Sequence, residues 1–492
     1  MLAKDSYQID LHESFLNAGV YFKGRTRNRQ CAQKKKGHTL TTSLMDSSMN
    51  GRGFTVTRVG HTRAPNAIEF LRRSSLARIS VVLAIVLRSV VWFLAHSAAT
   101  RLAGRRRGRF ELGECITWTF ESLGGGFVKI GQILSTRPEI PEELTMPLRR
   151  LQDSIAPFPA AVAQAMIEDS LGRSINTIFH SFDPRPIGSA SMAQVHRAVL
   201  LSTGAEVAVK VRRPNIVRTI KIDSRVFVTL SRILSCLPPF RRIPVVEATQ
   251  QVAMTVEAQA SFWLEAERHR QFAALFESGV PVRVPRLVDE FCTDEVLVME
   301  YIPNLVRITD PSLDDVVHRN AVIAGLRGLY KMLFNEGLVH CDLHPGNILV
   351  GRDGSVVIVD FGFSTVMRPT ERAAFARLFL SIAMNDGATA ARIVRETALR
   401  IPSDVDSATF EAEIRELISR SSGLPARDFL VSAFVASLFR IQRKHRIYAS
   451  PSFTLAILSL TVYEGVIRHR CADLHFQREA VPILFASLQR KG

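Results

Sequence analysis

The spacing of hydrophobic residues changes along the chain, and each change predicts a different kind of element. From Glu111 to Arg150 the apolar positions recur at helical spacing, and a further helix is predicted from Pro159 to Leu171. Strands are predicted where apolar residues alternate or cluster between turn residues. The predicted strands are GSASMAQVHRAVLL (188–201), EVAVKVRR (206–213), VPRLVDEF (284–291) and EVLVMEYI (295–302), with a turn at 202–204 between the first two.

The remaining periodic segments predict helices. They cover residues 217–234, 248–276 and 313–335 and everything after Arg368. Two apolar stretches near the end, FLVSAFVASLF from Phe429 and FTLAILSLTVYEGV from Phe453, are too short to cross a bilayer, so we expect buried helices there. This order predicts an α+β protein with a small β-rich lobe followed by a large helical lobe.

The first 65 residues show little periodicity and are rich in basic and small polar residues, which predicts a disordered basic tail over residues 1–65. A targeting peptide is a second interpretation, although Asp5, Asp10 and Glu13 depart from the acid-poor composition of such peptides. A third interpretation is that the natural start is Met45 or Met49.

Residues 66–110 contain an apolar stretch, SVVLAIVLRSVVWFLA, from Ser80 to Ala95. Arg88 divides it into runs too short to span a bilayer alone, so we expect an interfacial or protein-packed helix. A basic cluster follows it: Arg101, Arg105, Arg106, Arg107 and Arg109. An apolar helix beside such a cluster suits attachment to an anionic membrane, and a packed helix with a solvated basic end is the alternative.

The net charge indicates the kind of partner, and the cysteines indicate the kind of compartment. The formal net charge of +17 indicates attraction to an anionic partner. No nucleic-acid-binding motif accompanies this charge, so a membrane surface is favoured over specific nucleic-acid recognition. The 6 cysteines are scattered without zinc-site spacing, which suits a reducing compartment that contains ATP, such as a bacterial cytoplasm or an organelle. We expect Cys341 to be a small filler rather than a reactive thiol.

Two neighbouring segments, LVHCDLHPGNILV (338–350) and VVIVDFG (356–362), carry the residue types that phosphoryl transfer needs. Asp342 is predicted to orient or deprotonate the attacking group. Asn347 and Asp360 are predicted to hold Mg²⁺ through oxygen. Lys210, on the predicted strand VAVK, supplies a cation for the nucleotide phosphates. Three polar loop residues that merely cap turns are the alternative, which the combined spacing disfavours.

Two further groups complete the predicted ATP site. The small residues Gly188, Ser189, Ala190 and Ser191 precede a strand and are predicted to form the phosphate loop, because small side chains let backbone N–H groups approach phosphate. Glu300 and Tyr301 are predicted to link the lobes and to contact adenine through the main chain. His344 is expected to bond the backbone rather than to accept a proton.

Together with FVKIGQ (127–132), these segments resemble the UbiB/AarF family of atypical kinases, also called ABC1-type. The resemblance runs from about Glu111 to Glu464. It implies a two-lobed, protein-kinase-like fold with an added N-terminal helical extension, from which Lys129 and Gln132 approach the phosphate region. It also implies ATP and Mg²⁺ as cofactors, a membrane location, and support of ubiquinone or other isoprenoid-lipid biosynthesis with the proteins of that pathway. The implied parts are the extension (111–175), the small lobe (176–304) and the large lobe (305–492).

The chain departs from the family pattern at two places. Gly188 stands where the family has alanine, which affects loop flexibility and nucleotide affinity. Gln259 stands where the family has the acidic partner of the strand lysine, and Glu265 or Glu257 are candidate substitutes. Because of Gln259, a nucleotide-gated pseudokinase scaffold stays open beside a kinase or ATPase. A small-molecule phosphotransferase is the third interpretation, although such enzymes lack FVKIGQ.

Overall fold

The computed structural model describes residues 75–102, 109–135, 142–148, 150–151, 156–236, 245–422, 428–474 and 476–489. By its internal contacts the chain separates into Met1–Ala64 and Pro65–Gly492. The tail predicted over residues 1–65 lies outside the described residues, and so do Arg105, Arg106 and Arg107 of the basic cluster. The described helices and strands all belong to the second unit.

The first part of this unit is helical, as the periodicity predicts. Its helices are α1 (Ser75–Leu102), α2 (Arg109–Leu123), α3 (Gly125–Ser135), α4 (Glu142–Leu148), α5 (Ala160–Leu171) and the single turn α6 (Ile175–Ile178). Glycine permits close approach of α3 to its neighbours, because a Cβ at Gly131 would overlap the side chains of Phe120 and Leu151. The FVKIGQ helix is therefore packed inside the extension rather than laid loosely over it.

The small lobe is built on an antiparallel sheet of β1 (Phe179–Ser189), β2 (Ala193–Leu200), β3 (Glu206–Arg212) and β5 (Val296–Glu300), in that order. Three helices lie between β3 and β5 in the chain: α7 (Ile216–Ser235), α8 (Val245–Gln259) and α9 (Phe262–Phe276). The register places Lys210 of β3 opposite Val195 on one side and Leu297 on the other. Lys210 thus projects from a central strand that is paired with a neighbouring strand on each side.

The large lobe begins with α10 (Asp315–Tyr330), which continues as a π-helical turn over Lys331–Glu336. Its short strands are β7 (Leu338–His340), β8 (Ile348–Val350), β9 (Val356–Ile358) and β10 (Ser364–Val366). β8 and β9 form an antiparallel pair extended by β4 (Val282–Arg283) and β6 (Val306–Arg307), and β10 pairs with β7. The lobe is completed by α11 (Pro369–Ala383), α12 (Gly387–Glu396), α13 (Ser407–Ser421), α14 (Val431–His445), α15 (Pro451–Arg470) and α16 (Phe476–Gln489).

The two apolar stretches near the end are buried helices, as predicted, because α14 and α15 both contribute to the core of the large lobe. A buried ion pair links α1 to the small lobe. Arg78 on α1 donates to both carboxylate oxygens of Asp223 on α7, at 2.8 and 2.9 Å, and also to the carbonyl of Leu123 at 3.0 Å. Asp223 is fully buried, so this pair ties α1, α2 and α7 together.

Four details differ from the predicted elements. VPRLVDEF is not a strand: it makes a single bridge from Leu287 to Met299 and then a 3₁₀ turn, and Pro285 lacks the N–H that a ladder requires. The helix predicted over 248–276 breaks after Gln259. Strand β1 was not predicted. The region after Arg368 also holds a short strand pair, β11 (Ala398–Arg400) with β12 (Tyr448–Ala449).

Candidate active site

Lys210 lies at the centre of a charge cluster between the lobes. Its Nζ is 2.5 Å from Oε1 of Glu265 and 3.3 Å from Oδ1 of Asp360. Burial disfavours the ammonium charge, but Asp360 and Glu265 outweigh that cost and raise the pKa of Lys210 above its ordinary value. The lysine is therefore a permanent cation at the place where nucleotide phosphates are predicted to bind.

The acidic partner that the sequence left open is Glu265. α8 ends at Gln259 and α9 starts at Phe262, with Ser261 accepting a hydrogen bond from the N–H of Leu264 as the new helix begins. Because of this break, the orientation of Glu265 differs from the one that a continuous helix through Gln259 and Glu265 would predict. The Glu265 side chain is 3% exposed, and the Lys210 ammonium also lies 5.3 Å from the centre of the Phe262 ring.

The Asp360-Phe361-Gly362 segment turns sharply, with Asp360 at φ +62°, in the left-handed region. Phe361 is fully buried and packs against His269, Phe272 and His340, with ring centres 4.7, 4.9 and 5.5 Å away. Because the phenylalanine is held inward, the preceding carboxylate points outward to Lys210. This packing explains a backbone conformation that is costly for a non-glycine residue.

Asp360 lies beside Lys210 between the lobes, and half of its side-chain surface reaches solvent. Desolvation there raises its pKa, but the positive charges of Lys210 and Lys129 act more strongly, and the net effect is a pKa well below the ordinary value. Lys129 is thus close enough to Asp360 to stabilise its negative charge. The role of Lys129 at the phosphates, which the family resemblance implied, stays a prediction.

The segment that carries Asp342 and Asn347 is held by hydrogen bonds between its own side chains and main chain. The N–H of Asp342 donates to Nδ1 of His340 at 3.1 Å, and the Asn347 amide donates to the carbonyl of Asp342 at 3.0 Å. His340 is fully buried, and burial lowers the pKa of its ring, which keeps it a neutral acceptor. Since the Asn347 NH₂ is used in this bond, its carbonyl oxygen is the group left for a metal ion.

The predicted phosphate loop is held by a residue that the sequence did not single out. Arg213 donates to the carbonyl of Ala190 at 2.7 Å, to the hydroxyl of Ser189 at 2.8 Å and to the carbonyl of Ala156 at 2.9 Å. It therefore joins the loop to Ala156 in the extension. Its only sequence signal is its place directly after the strand of Lys210. Gly188 has no positive φ, and a Cβ there would meet open space, so alanine would fit.

Other predicted site residues already use polar groups in hydrogen bonds within the protein, so those groups are not available to a ligand. Gln132 donates its side-chain amide to the carbonyl of Leu151, at 3.2 Å. The N–H groups of Glu300 and Tyr301 donate to the carbonyls of Arg286 and Glu206, so those two amides are already engaged. Ser191 is buried.

Cys341 is buried, and desolvation raises the pKa of its thiol, which supports a filler role. His344 accepts a hydrogen bond from the N–H of Gly346, which confirms that it bonds the backbone.

The residues present fit a magnesium ion held with a nucleotide. Among the described residues no group of three or more His, Cys, Asp or Glu side chains could hold a metal ion by itself. Mg²⁺ at nucleotide sites usually takes one or two protein oxygens and completes its shell with phosphates and water. The half-exposed Asp360 carboxylate and the Asn347 carbonyl are such a pair. A bound Mg²⁺ would neutralise phosphate charge.

Comparison with known proteins agrees with this geometry. Residues 150–394 match the model of the ABC1 atypical kinase-like domain. A "Probable protein kinase UbiB" of Marinobacter nauticus is 30% identical over 384 residues, covering 76% of this chain and 70% of the relative. A protein of the same name from Aeromonas salmonicida is 31% identical over 384 residues, covering 76% and 69%.

A solved structure shows the same fold. It is the complex of Rv3197 with erythromycin from Mycobacterium tuberculosis, with a TM-score of 0.50 and 21% identity, covering 80% of this chain and 97% of that one. The two-lobed kinase-like architecture is therefore shared. The chain belongs to the ABC1 (UbiB-type) family of atypical kinase-like proteins.

Proposed function

We propose that this protein binds Mg-ATP between its lobes and hydrolyses it, or transfers its terminal phosphoryl group to a small or membrane-embedded acceptor. The observation that supports this most is the cluster of Lys210, Glu265 and Asp360 with Lys129 beside it. Two ammonium groups and a carboxylate with a low pKa match the charges of a metal-chelated triphosphate. Asp342 lies on the adjoining segment to act on the attacking oxygen.

The extension favours a small acceptor over a protein substrate. Arg213 bonds both the phosphate loop and Ala156, and the main chain of Phe158 exchanges two hydrogen bonds with the buried amide of Gln194 on β2. A segment of the extension, outside the two lobes, is thus hydrogen-bonded to the edge of the cleft. A cleft covered in this way excludes a bulky polypeptide and also limits water.

We propose further that the protein acts at an anionic membrane surface. By length and composition alone, residues Arg78–Ala98 of α1 could cross a bilayer, so the expectation that its apolar runs are too short does not hold for the whole helix. One side of α1 packs on the protein, where the Arg88 guanidinium lies 4.5 Å from the centre of the Trp118 ring. Large apolar side chains on α1 remain exposed: Val81, Leu83, Leu87, Val90, Val91, Trp92 and Leu94.

The neighbouring helix α7 adds positive charge. Its exposed cations share one face, and within the described part of the chain none has an acidic partner; they are Arg218, Lys221, Arg225 and Arg232. Exposed apolar groups beside unpaired cations suit a surface of anionic lipid. The active site would then face a reducing compartment that holds ATP. The printed name of the relatives, UbiB, supports a role in ubiquinone or other isoprenoid-lipid biosynthesis.

Phosphate release from Mg-ATP tests the enzymatic part, with and without anionic liposomes and beside an Asp360→Asn control. We expect release above the control and more of it with liposomes. Release equal to the control, together with tight nucleotide binding, would instead favour a nucleotide-gated scaffold. The ion pair with Glu265 removes the main reason for that alternative, since the lysine is not left without an acid.

A further inference from the structure

His344 lies beside Asp342, and its tautomer is set by the backbone. The N–H of Gly346 donates to Nδ1 of His344 at 2.9 Å, so Nδ1 carries no proton in the neutral ring. The ring proton is therefore on Nε2. That nitrogen lies 3.9 Å from Oδ2 of Asp342. The arrangement places an N–H donor near the carboxylate that is proposed to act on the attacking oxygen.

Glycine at 346 makes room for this ring. A Cβ added there would lie 2.6 Å from Cε1 and 2.9 Å from Nδ1 of His344. Gly346 has no positive φ, so its backbone alone would accept another residue. The space above this glycine is therefore used to seat the imidazole over the turn.

The main chain of Asp342 is held on both sides, but its carboxylate is not. His340 accepts from its N–H and Asn347 donates to its carbonyl, whereas the carboxylate has the His344 ring beside it. A separation of 3.9 Å is longer than a hydrogen bond. Hydrogen bonds in catalytic sites are often long without substrate and shorten in the complex.

We propose that His344 is a positioning residue whose Nε2–H holds Oδ2 of Asp342, so that the other carboxylate oxygen faces the attacking group. This rests on the proposed function. In the reaction the attacking O–H gives its proton to Asp342, the new O–P bond forms and the bond from the terminal phosphorus to the leaving ADP oxygen breaks. His344 keeps its proton throughout.

Two substitutions separate this role from a purely structural one. In His344→Asn the side-chain oxygen can replace Nδ1 as the acceptor for Gly346, but no donor reaches the position of Nε2. In His344→Gln the terminal NH₂ reaches that position, and the bond from Gly346 is lost. We expect kcat for phosphate release to fall about 30-fold in the asparagine variant and about threefold in the glutamine variant, with KM for ATP within about twofold of wild type in both.

The reverse order, with asparagine near wild type and glutamine strongly impaired, would show that only the backbone bond matters and would overturn the proposal. Equal kcat in all three proteins would overturn it as well. Thermal unfolding of each variant shows whether a lost rate reflects lost folding.

If wild type releases no more phosphate than Asp360→Asn, the proposed function has failed. In that case the contact between His344 and Asp342 is tested separately by nitrogen NMR of the histidine rings. The His344 signal is identified by its absence in His344→Asn. We expect a protonated Nε2 whose signal moves in Asp342→Asn. A proton on Nδ1, or no movement, would overturn the pairing.

Discussion

Replacing Glu265 with glutamine removes the charge of the acid while keeping its size. In the native protein its carboxylate is 2.5 Å from the Lys210 ammonium, and the two side chains are 3% and 12% exposed. Removing one partner of a buried ion pair typically costs about 3 to 5 kcal/mol, because the other charge is left uncompensated. Lys210 retains Asp360 at 3.3 Å, so we expect the low end of that range, about 3 kcal/mol of unfolding free energy.

The same substitution should impair catalysis. Without Glu265 the ammonium is drawn to Asp360 alone and competes with the metal ion for that carboxylate. A displacement of about 1 Å in a positioned group costs about 100-fold in rate, so we expect kcat/KM for Mg-ATP to fall by about that factor. Denaturant unfolding and steady-state phosphate release measure the two effects on the same preparations.

Glu257→Gln is the matched control, because it makes the same chemical change at the other candidate acid. Glu257 is exposed on α8, so stability should change by less than about 0.5 kcal/mol and turnover should stay near wild type. Glu265→Gln with kcat/KM within about threefold of wild type, or the larger loss in Glu257→Gln, would refute the assignment of Glu265 as the partner of Lys210.

Three further predictions concern the surroundings of the site. Lys129→Ala should raise KM for ATP and lower kcat, because it removes a cation that lowers the pKa of Asp360; unchanged nucleotide affinity and turnover would contradict the role of the extension. Arg213→Lys should raise KM for ATP about tenfold with a smaller change in kcat, since an ammonium cannot make all three hydrogen bonds of the guanidinium, two to the loop and one to Ala156; an unchanged KM would contradict it. Burial lowers the pKa of His269 to about 4, so the folded state resists its protonation. Stability from this group is fully present above about pH 6.5 and is lost as pH falls toward 4, amounting to about 2 kcal/mol between pH 7.5 and 5. Denaturant titrations should show that His269→Gln loses less stability over that interval than wild type, and parallel losses would show that His269 is not responsible.

Local sequence was sufficient to identify the candidate site residues of the large lobe. Asp342, Asn347 and Asp360 lie within one short segment that contains β7, β8 and β9, so their spacing strongly limits how far apart they can be. The strand of Lys210 was also predictable, because alternation defines the strand and its register follows from two neighbouring strands.

Contacts between distant parts of the chain were not predictable in the same way. The choice between Glu257 and Glu265 depends on a helix break at Ala260–Ser261, and helical periodicity alone runs straight through it. Strand β1 contains Pro184 and Pro186 and is mostly exposed, as an edge strand can be, so it lacks the apolar alternation that reveals a strand. Arg213 gained its importance only when folding brought Ser189 and Ala156 to it.

Binding of a non-hydrolysable ATP analogue, measured by calorimetry with and without Mg²⁺, tests the central claim most directly. If Lys210, Asn347 and Asp360 converge on one metal-chelated triphosphate, wild type should bind the analogue with Mg²⁺, and Asp360→Asn should weaken that binding at least about tenfold while leaving the metal-free affinity nearly unchanged. Equal affinities of the two proteins with Mg²⁺ present would contradict a shared metal and nucleotide site.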